Sequence, residues 1–186
     1  MCIVNETPEI HFRQTTRLTP DQFVAGLTDF GLGRSKLFSN SADEYLKVHH
    51  HGWLEADVTE GSGGIWERLH YDWSDPNQAV LTTIDSNVWG GASGYTYTFT
   101  RQPNGITDID LFIVREGKNL KGRVLSFVLR TIGRRVLERA FENSVEAIEA
   151  RNAKFENHEP KPAPIPEPRR APMQCACAFT NSAQRS

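Results

Sequence analysis

The sequence predicts an α+β protein in which a curved, seven-stranded antiparallel sheet wraps around one long C-terminal helix, with two short helices after the first strand. Three observations lead there. From Tyr45 to Arg115 apolar residues recur with a period of two, and turn residues cut the run at intervals too short for parallel crossovers. From Asn119 to Asn152 the period becomes that of an amphipathic helix. Seven strands about 4.8 Å apart make a sheet roughly 34 Å wide, whereas one helix covers a strip only about 10 Å wide. The sheet must therefore curl to cover its apolar face, and curling leaves interior space that large side chains fill or a small apolar molecule occupies.

The elements follow in order. Thr7 to Leu18 has strand formers and no helical stripe. Thr19 is an N-cap, Pro20 suits the first helical position and Gln22 completes a capping box, with Phe23, Leu27 and Phe30 at helical spacing before the helix ends near Gly31-Leu32-Gly33. A second helical turn runs from Arg34 to Phe38. Six strands then cover Tyr45–His50, Trp53–Glu60, Ile65–Trp73, Ala79–Ser86, Gly94–Arg101 and Ile106–Arg115. Their hairpin connections are His51-Gly52, Gly61 to Gly64, Ser74 to Asn77, Gly90-Gly91 and Pro103-Asn104-Gly105. In the last helix Leu125, Leu129, Ile132, Val136 and Ala140 share a face widened by Leu137, Phe141, Val145 and Ile148, and Gly133 marks a bend.

Composition bounds the function. The chain has 186 residues, 21 basic and 23 acidic, so no global charge draws it to nucleic acid. Cys2, Cys175 and Cys177 sit at the two ends, which excludes a disulfide framework and suits a reducing compartment. No leader pattern and no membrane-spanning run is visible, which predicts a cytoplasmic protein. From Ala153 onward prolines at 160, 162, 164, 166, 168 and 172 replace any apolar period. The expected organisation is a folded domain over residues 1–152 and a Pro-rich disordered tail over 153–186, either simply solvated or extended for a partner with an aromatic groove.

Strand alternation selects the inward side chains. Tyr95, Tyr97 and Phe99 form one inward set, and Ile109, Leu111 and Ile113 another. In the Ile65–Trp73 strand, Ile65, Glu67, Leu69 and Tyr71 share a face, which brings one carboxylate inside. With Phe23 and Leu27 from the first helix and Leu125, Leu129, Ile132 and Val136 from the last, these residues form the expected ligand cavity. A carboxyl among aromatic rings loses hydration, which would suit Glu67 to proton transfer; the plainer alternative is a Glu near the strand end, solvated or paired with an arginine on the outer face. Buried phenols at Tyr71, Tyr95 and Tyr97 would either orient a ligand oxygen or simply pack.

His49, His50 and His51 have no Cys or carboxylate at ligand spacing, so no metal is expected, and no cofactor motif appears: Gly31 to Lys36 lacks the spacing of a phosphate loop. From Gly117 to Leu137 the bases Lys118, Lys121, Arg123, Arg130, Arg134 and Arg135 occur without an acidic residue. That stretch suits transient contact with an anionic membrane, and a solvated outer face accounts for it equally.

The element order, Leu18 to Phe30 after the first strand, Trp66 to Pro76, Gly90 to Val114 and the ending Arg134 to Asn152 together resemble the helix-grip fold of the START-like (SRPBCC) superfamily, in its polyketide cyclase/dehydrase-like branch. The resemblance spans Glu9 to Asn152 and implies a hydrophobic cavity between sheet and long helix. Three functions are then open: a carrier or sequestering protein for a lipid, isoprenoid or polyketide-like molecule; a cyclase or dehydratase-like enzyme using Glu67 and the tyrosines; or an interaction protein with a filled core.

Overall fold

The structure, a computed structural model, describes residues 9–158. Cys2, Cys175, Cys177 and most of the expected tail lie outside the described residues, as do the side chains of Arg130, Ile132 and residues 155–158. The strands are β1 (Glu9–Thr16), β2 (Lys47–His51), β3 (Glu55–Ser62), β4 (Ile65–Asp72), β5 (Gln78–Ser86), β6 (Trp89–Arg101) and β7 (Thr107–Gly117). They make one antiparallel sheet in the order β1-β7-β6-β5-β4-β3-β2. Every neighbour pair except β1 and β7 is a hairpin of consecutive strands, as the short connections require.

Helix α1 (Pro20–Leu27) starts with the capping box: the Thr19 hydroxyl accepts the Gln22 N–H at 3.2 Å, and the Gln22 side-chain oxygen accepts the Thr19 N–H at 2.8 Å. A 3-10 turn, Arg34–Lys36, follows. The C-terminal helix is α2 (Leu120–Val128), a π-helical turn (Leu129–Gly133) and α3 (Arg134–His158), so it continues past Asn152. α1 meets α3 where Gly26 lies against Ile148; a Cβ at Gly26 would come within 2.7 Å of the Ile148 side chain. One core joins the sheet to these helices through Phe12, Phe23, Leu69, Phe99, Phe141 and Ile148.

Two local expectations change. β6 starts at Trp89, and Gly90-Gly91 lie within it at a register shift between Gly90 and Gly94. Gly91 has φ +56°, a conformation that serves a bulge as well as a hairpin turn. The turn itself is Asn87-Val88, where the Ser86 hydroxyl accepts the N–H groups of Val88 at 3.2 Å and Trp89 at 3.1 Å. The second change is the helix face. A π-turn adds one residue, turning everything beyond it by about 100°. Val136, placed on the inner stripe by regular helical spacing, is 67% exposed, and Leu137 takes the inner position instead. No helix among the described residues is long and apolar enough to cross a membrane.

Candidate functional site

Strand parity puts two carboxylates inside the sheet. β3 buries Ala56, Val58 and Glu60, while β4 buries Glu67, Leu69 and Tyr71, and the register sets Glu60 opposite Glu67. Like charges facing across adjacent strands repel, so each carboxylate needs its own cation. The two cations come from different parts of the chain.

Arg115 extends the inward set Ile109, Leu111 and Ile113 on β7. Its guanidinium grips Glu67 with both ends, Nη1 to Oε2 at 2.8 Å and Nη2 to Oε1 at 3.0 Å. Tyr95 donates to Oε1 at 3.0 Å and Thr83 to Oε2 at 3.1 Å, so four donors occupy the carboxylate's four acceptor positions. The guanidinium lies over the Tyr95 ring at 4.1 Å and the Trp89 ring at 5.2 Å. Ser126 of α2 donates to the Arg115 carbonyl at 2.9 Å, tying this end of β7 to the helix.

Arg34, from the 3-10 turn, serves Glu60. Its Nε donates to Glu60 Oε2 at 3.0 Å, Nη1 to the Leu27 and Asp29 carbonyls at 2.9 and 3.0 Å, and Nη2 to the Tyr71 hydroxyl at 2.9 Å. The Tyr71 hydroxyl in turn donates to Glu60 Oε1. Phe30 and Phe38 flank the guanidinium at 4.8 Å each. Burial alone would raise the Glu60 pKa, but the Arg34 charge and the hydrogen bonds from Tyr71 and Arg34 outweigh it and hold the group below its ordinary range. Burial, reinforced by the Glu60 charge, pushes the Tyr71 and Tyr97 phenols up, so both remain hydrogen-bond donors at neutral pH.

A cavity of about 240 Å³ lies between the sheet and the C-terminal helix. Glu60, Glu67, Tyr95, Tyr97 and Arg115 form its polar border, and Leu111, Ile113, Leu129, Leu137 and Phe141 its apolar one. Exposed Ser39 and Asn40 border it as well, so it opens to solvent on their side. The Tyr97 hydroxyl has no hydrogen-bond partner among the described residues, unlike Tyr71 and Tyr95.

Of the residues expected around a ligand, Ile65, Glu67, Tyr95, Tyr97, Leu111, Ile113 and Leu129 border this cavity. Phe23, Leu27, Leu69, Tyr71, Phe99 and Ile109 are buried in the packed core beside it. Leu125 is half-buried on α2 and does not border it, and Val136 faces solvent. The histidines scatter: His49 bonds Thr59 at 2.8 Å, His50 faces Glu55 at 3.5 Å and His70 bonds Asp57 at 2.8 Å. No group of three His, Cys, Asp or Glu side chains among the described residues is placed to hold a metal.

No protein-family model matches the sequence, and no curated protein matches it significantly. Solved structures do. The protein TTHA0849 from Thermus thermophilus superposes with a TM-score of 0.60 at 14% identity, covering 77% of this chain and 99% of its own. The Zhui aromatase/cyclase from Streptomyces sp. R1128 gives 0.57 at 14% identity, covering 80% and 94%. A START superfamily protein from Mycobacterium smegmatis gives 0.55 at 8% identity, covering 79% and 98%. The chain has the START-like helix-grip fold. Norcoclaurine synthase from Thalictrum flavum shares that fold with a TM-score of 0.57 at 14% identity, covering 83% and 93%.

Within this helix-grip framework the cavity's chemistry departs from the expectation of a lone carboxyl among aromatic rings. Glu67 is inside, but its acceptor positions are occupied and its charge is matched by Arg115. Taking up a proton there means giving up at least one of those bonds. The alternation that places Glu67 inside also places Glu60 and Arg115 inside, since Ala56, Val58 and Glu60 share parity, as do Ile109 to Arg115. Arg34 carries no such signal, because it stands in a loop whose position the tertiary fold decides.

Proposed function

We propose that the protein binds a small, largely apolar molecule bearing an oxygen acceptor, and that it acts as a carrier or sequestering protein. The observation that carries this is the cavity itself: an open space beneath the helix with an apolar wall, a polar wall whose two carboxylates each have an arginine partner, and the Tyr97 hydroxyl, which has no hydrogen-bond partner among the described residues. Paired charges place no net charge against a neutral guest, and Tyr97 offers it a donor. At about 240 Å³ the space lies just below the roughly 300–1,000 Å³ of typical ligand cavities, which favours a compact guest over a long acyl chain. The purified full-length protein is to be examined by native mass spectrometry for a co-purified ligand, then freed of it and titrated with a naphthalene dye. Saturable binding that weakens in Tyr97→Phe for an oxygen-bearing guest supports the proposal; a folded, ligand-free protein that binds no probe refutes it.

A cyclase or dehydratase-like activity is the second reading, favoured by the meeting of Glu60, Glu67 and Tyr97 on one cavity. The aromatase/cyclase and synthase with the same fold show that the fold accommodates enzymes. In this reading Glu67→Gln, which also leaves Arg115 without its counter-charge, loses turnover of a polyketone substrate while its folded fraction, checked by a thermal melt, still binds; a pure carrier has no turnover to lose.

A further inference from the structure

Helix α2 buries one side and leaves an apolar stripe on the other. Gly122 and Ser126 face the protein, whereas Leu120 is 78% and Phe127 67% exposed, with Val124 and Val128 also exposed beside them. Positions 120, 124, 127 and 128 fall on one face at helical spacing, and a turn of about 100° per residue sets Lys121 on one flank and Arg123 on the other. Both bases are exposed. Residues 117–137 contain no acidic side chain.

We propose that this face docks the protein on an anionic lipid bilayer, with Leu120, Val124, Phe127 and Val128 entering the interface and Lys121 and Arg123 meeting lipid phosphates. An apolar stripe bordered on both sides by bases is the charge arrangement such a surface selects. α2 follows the end of β7 that carries Arg115 and precedes Leu129, both on the cavity, so docking brings the membrane to the cavity's end of the sheet. The docking needs no ligand and does not rest on the function proposed above.

Co-sedimentation of the full chain with phosphatidylcholine vesicles, with and without phosphatidylserine, tests it. Binding is expected to the anionic vesicles only and to fall as salt rises. The Lys121→Ala/Arg123→Ala variant should partition roughly thirtyfold less, at about 1 kcal/mol for each base near the surface. Phe127→Ser should also release the protein while its melting temperature stays that of the wild type, because the ring is exposed. No binding by the wild type, equal binding to neutral vesicles, or variants that bind like the wild type would overturn the proposal. Sedimentation velocity without lipid supplies the remaining outcome: a dimer dissociated by Phe127→Ser would assign the face to a second copy of this chain and equally overturn it.

Discussion

Arg115 and Glu67 illustrate what a buried ion pair demands of its partners. Removing one member leaves the other charge in a dry site, so Arg115→Met is expected to lower unfolding free energy by about 3–5 kcal/mol. Replacing both, as Arg115→Met/Glu67→Leu, should recover much of that loss, because an apolar pair avoids the desolvation cost. Urea denaturation of the two variants checks this, and a double variant as weak as the single one would show that the loss lies in packing. The second network predicts a pH dependence. Because the Glu60 pKa is depressed on folding, its contribution to stability is complete above its unfolded value of about 4.3 and disappears as pH falls through the folded value. Tyr71→Phe removes a hydrogen bond that favours the Glu60 carboxylate. The acid limb of the stability curve, followed by thermal melts, should therefore move to higher pH in that variant.

Among the elements, the C-terminal helix carries the sharpest test, because the π-turn decides which side of α3 meets the sheet. Val136→Asp is expected to change stability by less than about 0.5 kcal/mol, as an exposed substitution. Leu137→Asp places a charge at the cavity wall and should cost about 2 kcal/mol or more. The reverse ranking in chemical denaturation would mean that the helix continues in regular α geometry through Leu129–Gly133. α2 is placed by a close backbone approach: a Cβ on Gly122 would lie 2.1 Å from the Val88 carbonyl oxygen. Gly122→Ala should thus destabilise by about 1–3 kcal/mol despite its better helix propensity, since backbone cannot move aside as a side chain can.

For the whole molecule, the cavity and the chain's extent make two predictions. Ala140 borders the cavity from the helix, so Ala140→Phe is expected to fill the space and abolish dye binding while the fold persists, measured by fluorescence titration beside a thermal melt. Truncation after His158 removes a segment whose composition supports no core, and the melting temperature should not change. Truncation after Asn152 instead cuts the last part of α3 and the contacts of Ala153 and Lys154, and a lower melting temperature is expected.

The amino-acid sequence specifies the order of elements, the antiparallel sheet and most inward positions, because these depend on local quantities: a period of two, a period of 3.6, and turn and cap residues acting over a few positions. It also contained the inward parity of Glu60, Glu67 and Arg115. The three-dimensional fold settles which cation meets which carboxylate, since Arg34 and Glu60, like Glu67 and Arg115, are joined by register and loop placement across long stretches of chain. It also decided that the stripe along the last helix shifts at Leu129–Gly133, where one added residue in a turn leaves the hydrophobic pattern almost unmarked while turning Val136 out to solvent. The size of the cavity came last in this order, because space is what remains after every side chain has packed, and no single stretch of sequence sets it.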